Sequence, residues 1–358
     1  MSHGGDRYRN KVRLDFSVNT NPAGVPEKIK NSIKDSLDQL EYYPDPESFK
    51  LRSAIAGKFD VAADNVLLGN GASELLMAAI HAIRPAKVLL PVPSFKGYEY
   101  AARAAEADIV YWQMDEAFDV TDKFCEVLDE SMDLLFLADP NNPTGRYIEH
   151  ECLSTILDKC LELGIKVILD ECFMELSDDP DGHTCTNDLE RWPNLLILRA
   201  FTKSFAIPGV RLGYMLGSDR ELMLCIKRQL PEWNISILAE NAGIAALEDT
   251  GIIEEGKKII TEGRRYLAAE LSGMGFDVVG SDTGYLLFSC KDGPDLYEEL
   301  LKREILIRDC SDYIGLPGLT GDGRKKEPRF YRIAVRPMEE NKELIINLRE
   351  ITESYERH

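Results

Sequence analysis

Leu198-Arg199-Ala200-Phe201-Thr202-Lys203-Ser204-Phe205-Ala206-Ile207-Pro208-Gly209-Val210-Arg211-Leu212-Gly213-Tyr214 is the stretch on which the reading of this chain turns. It opens on the end of one apolar, strand-like run and closes on the start of another. Between them Lys203 stands among hydroxyl and aromatic side chains, a poor place for a solvated surface charge. Arg211 follows eight positions later. A lysine that holds an aldehyde cofactor as a Schiff base, with an arginine for the cofactor's phosphate, suits this pairing. Alone, the segment reads more readily as a loop with two surface cations.

Three segments upstream change that balance. Lys166-Val167-Ile168-Leu169-Asp170-Glu171-Cys172-Phe173 reads as a buried parallel strand ending in a carboxylate, and ligands of open α/β sheets gather at such ends. A pyridinium nitrogen needs a carboxylate partner, and Asp170 is placed to provide it. Asp139-Pro140-Asn141-Asn142-Pro143-Thr144-Gly145 is a fixed turn after the apolar run Leu134–Leu137, and Asn142 within it offers a side-chain amide. Val66-Leu67-Leu68-Gly69-Asn70-Gly71-Ala72-Ser73-Glu74-Leu75-Leu76 passes from strand through small residues to a helical pattern. Backbone N–H groups at such a helix start make a phosphate seat, although a plain Ser73 cap explains the residues as well. The spacing fits neither a nucleoside-triphosphate loop nor a dinucleotide fingerprint.

Taken in this order, the segments resemble the pyridoxal-phosphate enzymes of the aspartate-aminotransferase fold, the class I/II aminotransferase superfamily of fold type I. The resemblance runs over nearly the whole chain. It implies pyridoxal 5'-phosphate as cofactor, with Lys203 the Schiff-base lysine, Asp170 on the pyridine nitrogen and Asn142 on the ring oxygen. Gly71, Ala72, Ser73 and Arg211 would hold the phosphate, with Thr202 beside the lysine. Phe95, in Pro93-Ser94-Phe95-Lys96-Gly97-Tyr98, matches the aromatic that stacks on the ring. Tyr43 matches a tyrosine that reaches the phosphate of a neighbouring subunit, which implies a homodimer with shared active sites.

Within the superfamily the chain is most similar to threonine-phosphate decarboxylases and histidinol-phosphate aminotransferases. His3-Gly4-Gly5, Asp15-Phe16-Ser17-Val18-Asn19-Thr20-Asn21-Pro22, Ala206-Ile207-Pro208-Gly209 and Ile307-Arg308-Asp309-Cys310-Ser311 tilt it toward the decarboxylases. So does Phe173, where aminotransferases of this branch usually carry a tyrosine. The implied function is decarboxylation of L-threonine-O-3-phosphate in cobalamin side-chain synthesis. The alternatives are transamination of the histidinol-phosphate type with 2-oxoglutarate and, from another class, an inactive pyridoxal-phosphate-binding regulator. The resemblance assigns Arg332 to the substrate carboxylate, and Arg336, Arg308, Asn21 and His3 to a second anionic group. Two positions depart from the pattern: Ala200 stands where a hydroxyl usually meets the phosphate, and Trp233-Asn234-Ile235-Ser236 differs from the usual polar stretch.

Bulk properties set the frame. At 358 residues, 44% hydrophobic and 29% charged, the chain suits a large domain plus a smaller one. Alternating strand and helix patterns predict a three-layer α/β/α domain, and the change of rhythm after Ser236 predicts a smaller C-terminal α+β domain. The expected division is residues 1–39 as N-terminal arm and small-domain segment, 40–242 as cofactor-binding domain and 243–358 as small domain. A net charge of −20 disfavours nucleic acid and anionic membrane as partners. Against it, residues 308–336 carry seven cations and four acids, which suits an anionic amino-acid phosphate. The eight cysteines are scattered without metal-binding or disulfide spacing, so no metal is expected. No apolar stretch spans a bilayer, and the start of the chain, with Arg7, Arg9 and Lys11, lacks a signal-peptide core. The cytoplasm is the expected compartment.

Overall fold

A computed structural model describes residues 4–249, 251–318 and 325–356. Its centre is a seven-stranded sheet. In spatial order the strands are Val66–Gly69, Gly213–Gly217, Leu195–Ala200, Lys166–Asp170, Leu134–Ala138, Lys87–Val92 and Asp108–Gln113. All seven were legible as apolar runs. Alternation of side chains sorts them into two cores. Leu135, Leu137, Val167, Leu169, Leu195 and Ile197 pack on one face, under the helices Phe49–Phe59, His150–Leu163 and Ile237–Leu247. Leu134, Phe136, Ile168, Leu196 and Leu198 pack on the other, under Ala72–Ile83, Lys96–Ala104 and Arg220–Lys227. Burial on both faces explains why the strands read as unbroken apolar runs.

One strand departs from the parallel sheet that the pattern suggests. Gly213–Gly217 runs antiparallel to both neighbours, with Ala200 opposite Gly213 and Gly69 opposite Gly213 on the other side. The chain therefore leaves Leu195–Ala200, turns through Lys203 and Arg211, and re-enters the sheet at the same edge. The end of Val66–Gly69, with the small residues after it, is brought to that edge too. Reversing one strand gathers the three glycine-, lysine- and arginine-bearing segments at one place.

The smaller unit is built on an antiparallel sheet ordered Arg308–Asp309, Arg329–Ala334, Tyr285–Cys290 and Asp277–Val278, covered by the helices Gly251–Gly273 and Met338–Glu356. Leu14–Asp15 pairs in parallel with Ile305–Leu306, and Phe16 lies in this core. The early chain is thus split, because Ile29, on the helix Glu27–Asp35, packs in the large core instead. Residue 243 falls inside the helix Ile237–Leu247, whose Ala239, Ala242, Ala245 and Ala246 also belong to the large core. Packing makes the end of that helix, rather than residue 243, the natural place for a division.

Beneath the edge lies a buried ion pair. Arg199 donates to Glu171 Oε2 through Nε at 3.0 Å and Nη2 at 2.5 Å, and its Nη2 donates to Thr184 Oγ1 at 2.8 Å. Glu171 Oε1 accepts from the Cys185 N–H at 2.9 Å, so the carboxylate is satisfied on both sides. The two side chains are 0% and 6% exposed, for Glu171 and Arg199 respectively. Removing one partner strands the other charge in the interior. Glu171→Ala should therefore cost about 3–5 kcal/mol, whereas a paired replacement of both residues by apolar side chains of similar size should cost far less. Urea unfolding of the three proteins checks this; equal losses in the single and paired variants would refute it.

Candidate active site

Where the strand ends meet lies a cavity of about 140 Å³. At one end of it Gly71, with φ +79°, leads into the helix Ala72–Ile83. A Cβ on Gly71 would sit 2.6 Å from Arg211 Nη2, and one on Gly213 would sit 2.7 Å from the Ala72 nitrogen. Only bare glycines let the guanidinium and the helix start close on the same point. Arg211 makes long contacts, 3.3 Å to the Pro208 carbonyl and 3.4 Å to the Asn70 carbonyl. The free first-turn N–H groups, Ser73, Thr202 and this arginine form an anion seat. Ala200 lines the cavity without a hydroxyl, so the seat's hydroxyl groups come from Ser73 and Thr202. The turn is locked from outside. Asn70 Nδ2 donates to Asn234 Oδ1 at 2.7 Å, and Asn234 Nδ2 donates to Glu74 Oε2 at 2.8 Å. Asn234, part of the stretch that departs from the family pattern, serves as that lock.

At the opposite end Asp170 accepts the Cys172 N–H at 2.9 Å through Oδ1 and the Tyr98 hydroxyl at 2.7 Å through Oδ2. Tyr98 was missed in the sequence reading, although it lies one helical turn beyond Phe95. It is buried and stacked on Phe136 with centroids 5.3 Å apart. Burial, then the Asp170 charge, push its hydroxyl pKa well above the usual value, so it remains a donor. Phe95 and Phe173 also line the cavity. Lys203 Nζ lies 5.6 Å from the Phe173 ring centre. Its pKa is lowered, first by loss of hydration and then by the Arg332 guanidinium, which favours the neutral, nucleophilic amine.

A second cavity of about 170 Å³ adjoins the first, sharing Phe95, Asn142, Phe173 and Lys203. Arg332 borders it, donating to Asn142 Oδ1 at 2.5 Å and to the Ser17 carbonyl at 2.9 Å. Because arginine can only donate, Asn142 must present its oxygen there, which leaves its Nδ2 free to donate elsewhere. Arg308 lines it too, directly opposite Arg332 on the neighbouring strand.

Several expected residues fall elsewhere. Arg336 does not border the cavity; its Nε donates to Glu340 Oε2 at 3.0 Å, one helical turn away. Asn21 is spent on structure: Nδ2 donates to the Ser204 and Ile252 carbonyls and Oδ1 accepts the Ala23 N–H. Its backbone N–H meets the Lys203 carbonyl at 2.9 Å, so it braces the lysine turn. Asn19, two residues earlier, is the one that faces the cavity, 5% exposed and with neither amide atom partnered. Alternation along an extended segment cannot tell Asn19 from Asn21, since both point the same way. His3 lies outside the described residues. Tyr43 is 80% exposed, with its ring 5.1 Å from that of Trp233.

Comparison with known proteins supplies the family. Residues 11–348 match the family described as aminotransferase class I and II, and the chain belongs to it. It is 35% identical over 342 residues to threonine-phosphate decarboxylase of Salmonella typhimurium, covering 94% of this chain and 91% of the relative. It is 34% identical over 313 residues to histidinol-phosphate aminotransferase 2 of Carboxydothermus hydrogenoformans, covering 84% and 83%. Among solved structures, histidinol-phosphate aminotransferase from Clostridium acetobutylicum superposes with a TM-score of 0.87 at 30% identity, over 96% of this chain and 100% of that one. The chain is an enzyme of this family, with the family's mixed α/β sheet.

The residues present fit pyridoxal phosphate. The glycine-lined seat would take its phosphate, Phe95 and Phe173 offer flat faces to a ring, and Asp170 and Lys203 border the same cavity, the carboxylate and amine that a pyridine nitrogen and an aldehyde would need. Lys203→Ala should therefore lose the visible absorbance of the cofactor-loaded protein and several orders of magnitude in turnover. Borohydride reduction followed by peptide mapping checks the attachment; cofactor still fixed to lysine in that variant would refute it.

Proposed function

We propose that this chain is a pyridoxal-phosphate enzyme acting on a phosphorylated amino acid, most similar in activity to L-threonine-O-3-phosphate decarboxylase. The observation that carries the reading is the joining of two cavities at Lys203: one with an anion seat and Asp170, the other flanked by Arg332 and Arg308. When bound in the first, pyridoxal phosphate supplies an electron sink for a bond broken at the substrate's α carbon. The chain's own groups do the rest. Asp170, held by the Tyr98 hydroxyl, would pair with the ring nitrogen. Asn142, oriented by Arg332, offers one N–H donor. Lys203 moves the proton. Arg332 holds the carboxylate, and Arg308, its neighbour on the adjoining strand, holds the phosphate. Two fixed anions set the rotation of the substrate, and that rotation selects the bond that breaks.

The second reading, transamination of the histidinol-phosphate type, uses the same residues, and a 34% identical relative carries that name. Phe173 favours decarboxylation, since no hydroxyl stands there to tune the ring oxygen. An inactive regulator is not supported, because Lys203, Asp170, Asn142 and Arg211 all line one cavity. Cobalamin side-chain synthesis is the pathway that the decarboxylase reading implies. The cytoplasm remains the proposed compartment, consistent with eight free cysteines. No helix among the described residues is long and apolar enough to cross a membrane. With the loaded enzyme, threonine phosphate should release carbon dioxide, while histidinol phosphate with 2-oxoglutarate should yield no glutamate. Glutamate formation without carbon dioxide would overturn the choice.

A homodimer is part of the proposal. Tyr43 and Trp233, whose rings lie 5.1 Å apart, are 80% and 47% exposed, and Tyr42 and Phe49, close to Tyr43 in sequence, are each 64% exposed. The Trp233 loop is tied through Asn234 to the phosphate-seat turn, so this surface lies beside the site. Sedimentation should show a dimer, and Tyr43→Ala should weaken cofactor retention. A monomer with full activity at nanomolar concentration would contradict it.

A further inference from the structure

Resting on the amino-acid-phosphate reading, we propose that Lys96 and Arg308 form the phosphate subsite, and that the Asp312 carboxylate holds its place until substrate phosphate displaces it. Lys96 and Asp312 then set the preference for phosphorylated over unphosphorylated substrates.

The geometry is that of an anion already bound. Lys96 Nζ donates to Asp312 Oδ2 at 3.0 Å, and Arg308 Nη2 donates to Asp312 Oδ1 at 2.8 Å. One carboxylate thus spans two cations from different parts of the fold: the helix after Phe95 and the edge strand Arg308–Asp309 of the small sheet. Two oxygens of a phosphate offer the same bite. The cations and the acid differ in position. Lys96 and Arg308 line the second cavity, whereas Asp312 does not and sits on the segment after the strand. Side-chain exposures of 19% for Lys96, 5% for Arg308 and 27% for Asp312 place the acid outermost. The Arg308 guanidinium also lies 5.2 Å from the Tyr313 ring centre, which keeps its plane fixed when the carboxylate swings away.

A second, independent observation points to a polar occupant. Asn19 lines the same cavity, is 5% exposed, and has no partner for either Oδ1 or Nδ2. Buried amides in this condition are rare, and a ligand oxygen would satisfy it. A salt bridge at this exposure has a bland explanation, since many such pairs contribute little. That explanation accounts for Asp312 but leaves Asn19 unsatisfied. Charge then decides the competition. A phosphate dianion brings twice the charge of the carboxylate to the same two cations, in a partly desolvated place. An amino acid without phosphate has nothing to offer there, and Asp312 stays. Selectivity would arise from an internal competitor rather than from added contacts.

The test uses holoenzyme saturated with pyridoxal phosphate, so that the seat at Ala72, Ser73 and Arg211 is filled, and inorganic phosphate as the calorimetric probe. Lys96→Met should weaken phosphate by about tenfold or more, and Lys96→Arg should restore most of it. Asp312→Asn, which keeps the shape and removes the charge, should tighten it by roughly threefold or more. The kcat/KM ratio of threonine phosphate to threonine should fall in the first variant and rise in the last. Visible absorbance like that of the original holoenzyme identifies properly folded variants. Phosphate affinity unchanged in both variants, or absent from the original protein, overturns the subsite. Weakening at Lys96 without tightening at Asp312 overturns the displacement. If neither threonine phosphate nor histidinol phosphate is turned over while phosphate binding still responds to both positions, the subsite stands and the substrate reading fails. Turnover of either with no response at Lys96 or Asp312 defeats the subsite alone.

Discussion

The Glu171–Arg199 pair is the constraint under which the rest of the site is arranged. Glu171 directly follows Asp170, and Arg199 lies four residues before Lys203, so one buried contact joins the ends of the two strands that carry the carboxylate and the amine. Both side chains are buried, and the Thr184 hydroxyl and Cys185 N–H leave the carboxylate little freedom to rotate. Strand pairing alone fixes register, Asp170 opposite Leu198, but not the direction of the chain beyond the strand ends. The ion pair supplies that, just where both segments leave the sheet. Asn21 adds a brace from the far end of the sequence through its contacts to the Lys203 and Ser204 carbonyls.

The large sheet was legible in sequence because strands covered on both faces are continuous apolar runs, and only the edge strand Asp108–Gln113 is left half-buried. Its one reversed strand was not. Gly213–Gly217 is as apolar as the parallel strands of the sheet, and direction leaves no mark on composition; it shows only in the return from Ala200 to Gly213. For the same reason the residues proposed for the cofactor carry stronger local signals than those proposed for the substrate. Lys203, Asp170, Asn142 and the Gly71–Ser73 turn each follow a recognisable strand end. Arg336 and Arg332 sit four apart on one β-patterned run, and pattern gives no ground to separate them. Tertiary structure does, because the strand ends at Ala334 and Glu340 captures the second arginine. Lys96 and Asp312 are 216 residues apart and carry no local signal at all.

Arg332 links the two cavities electrostatically as well as sterically. It orients the Asn142 amide on one side and holds down the Lys203 pKa on the other, second only to loss of hydration. Its Nε is buried without a partner, so the guanidinium retains capacity for an anion. In the free protein the arginine charge favours a neutral Lys203 amine, the form required to attack a carbonyl. A carboxylate bound to Arg332 offsets that charge, and the same amine then holds a proton more tightly. Under the proposed function the sign is the one a proton shuttle would need, a nucleophile before substrate arrives and a stronger base afterwards. One arginine can serve both states because it is fixed, through Ser17 and Asn142, while the charge facing it changes.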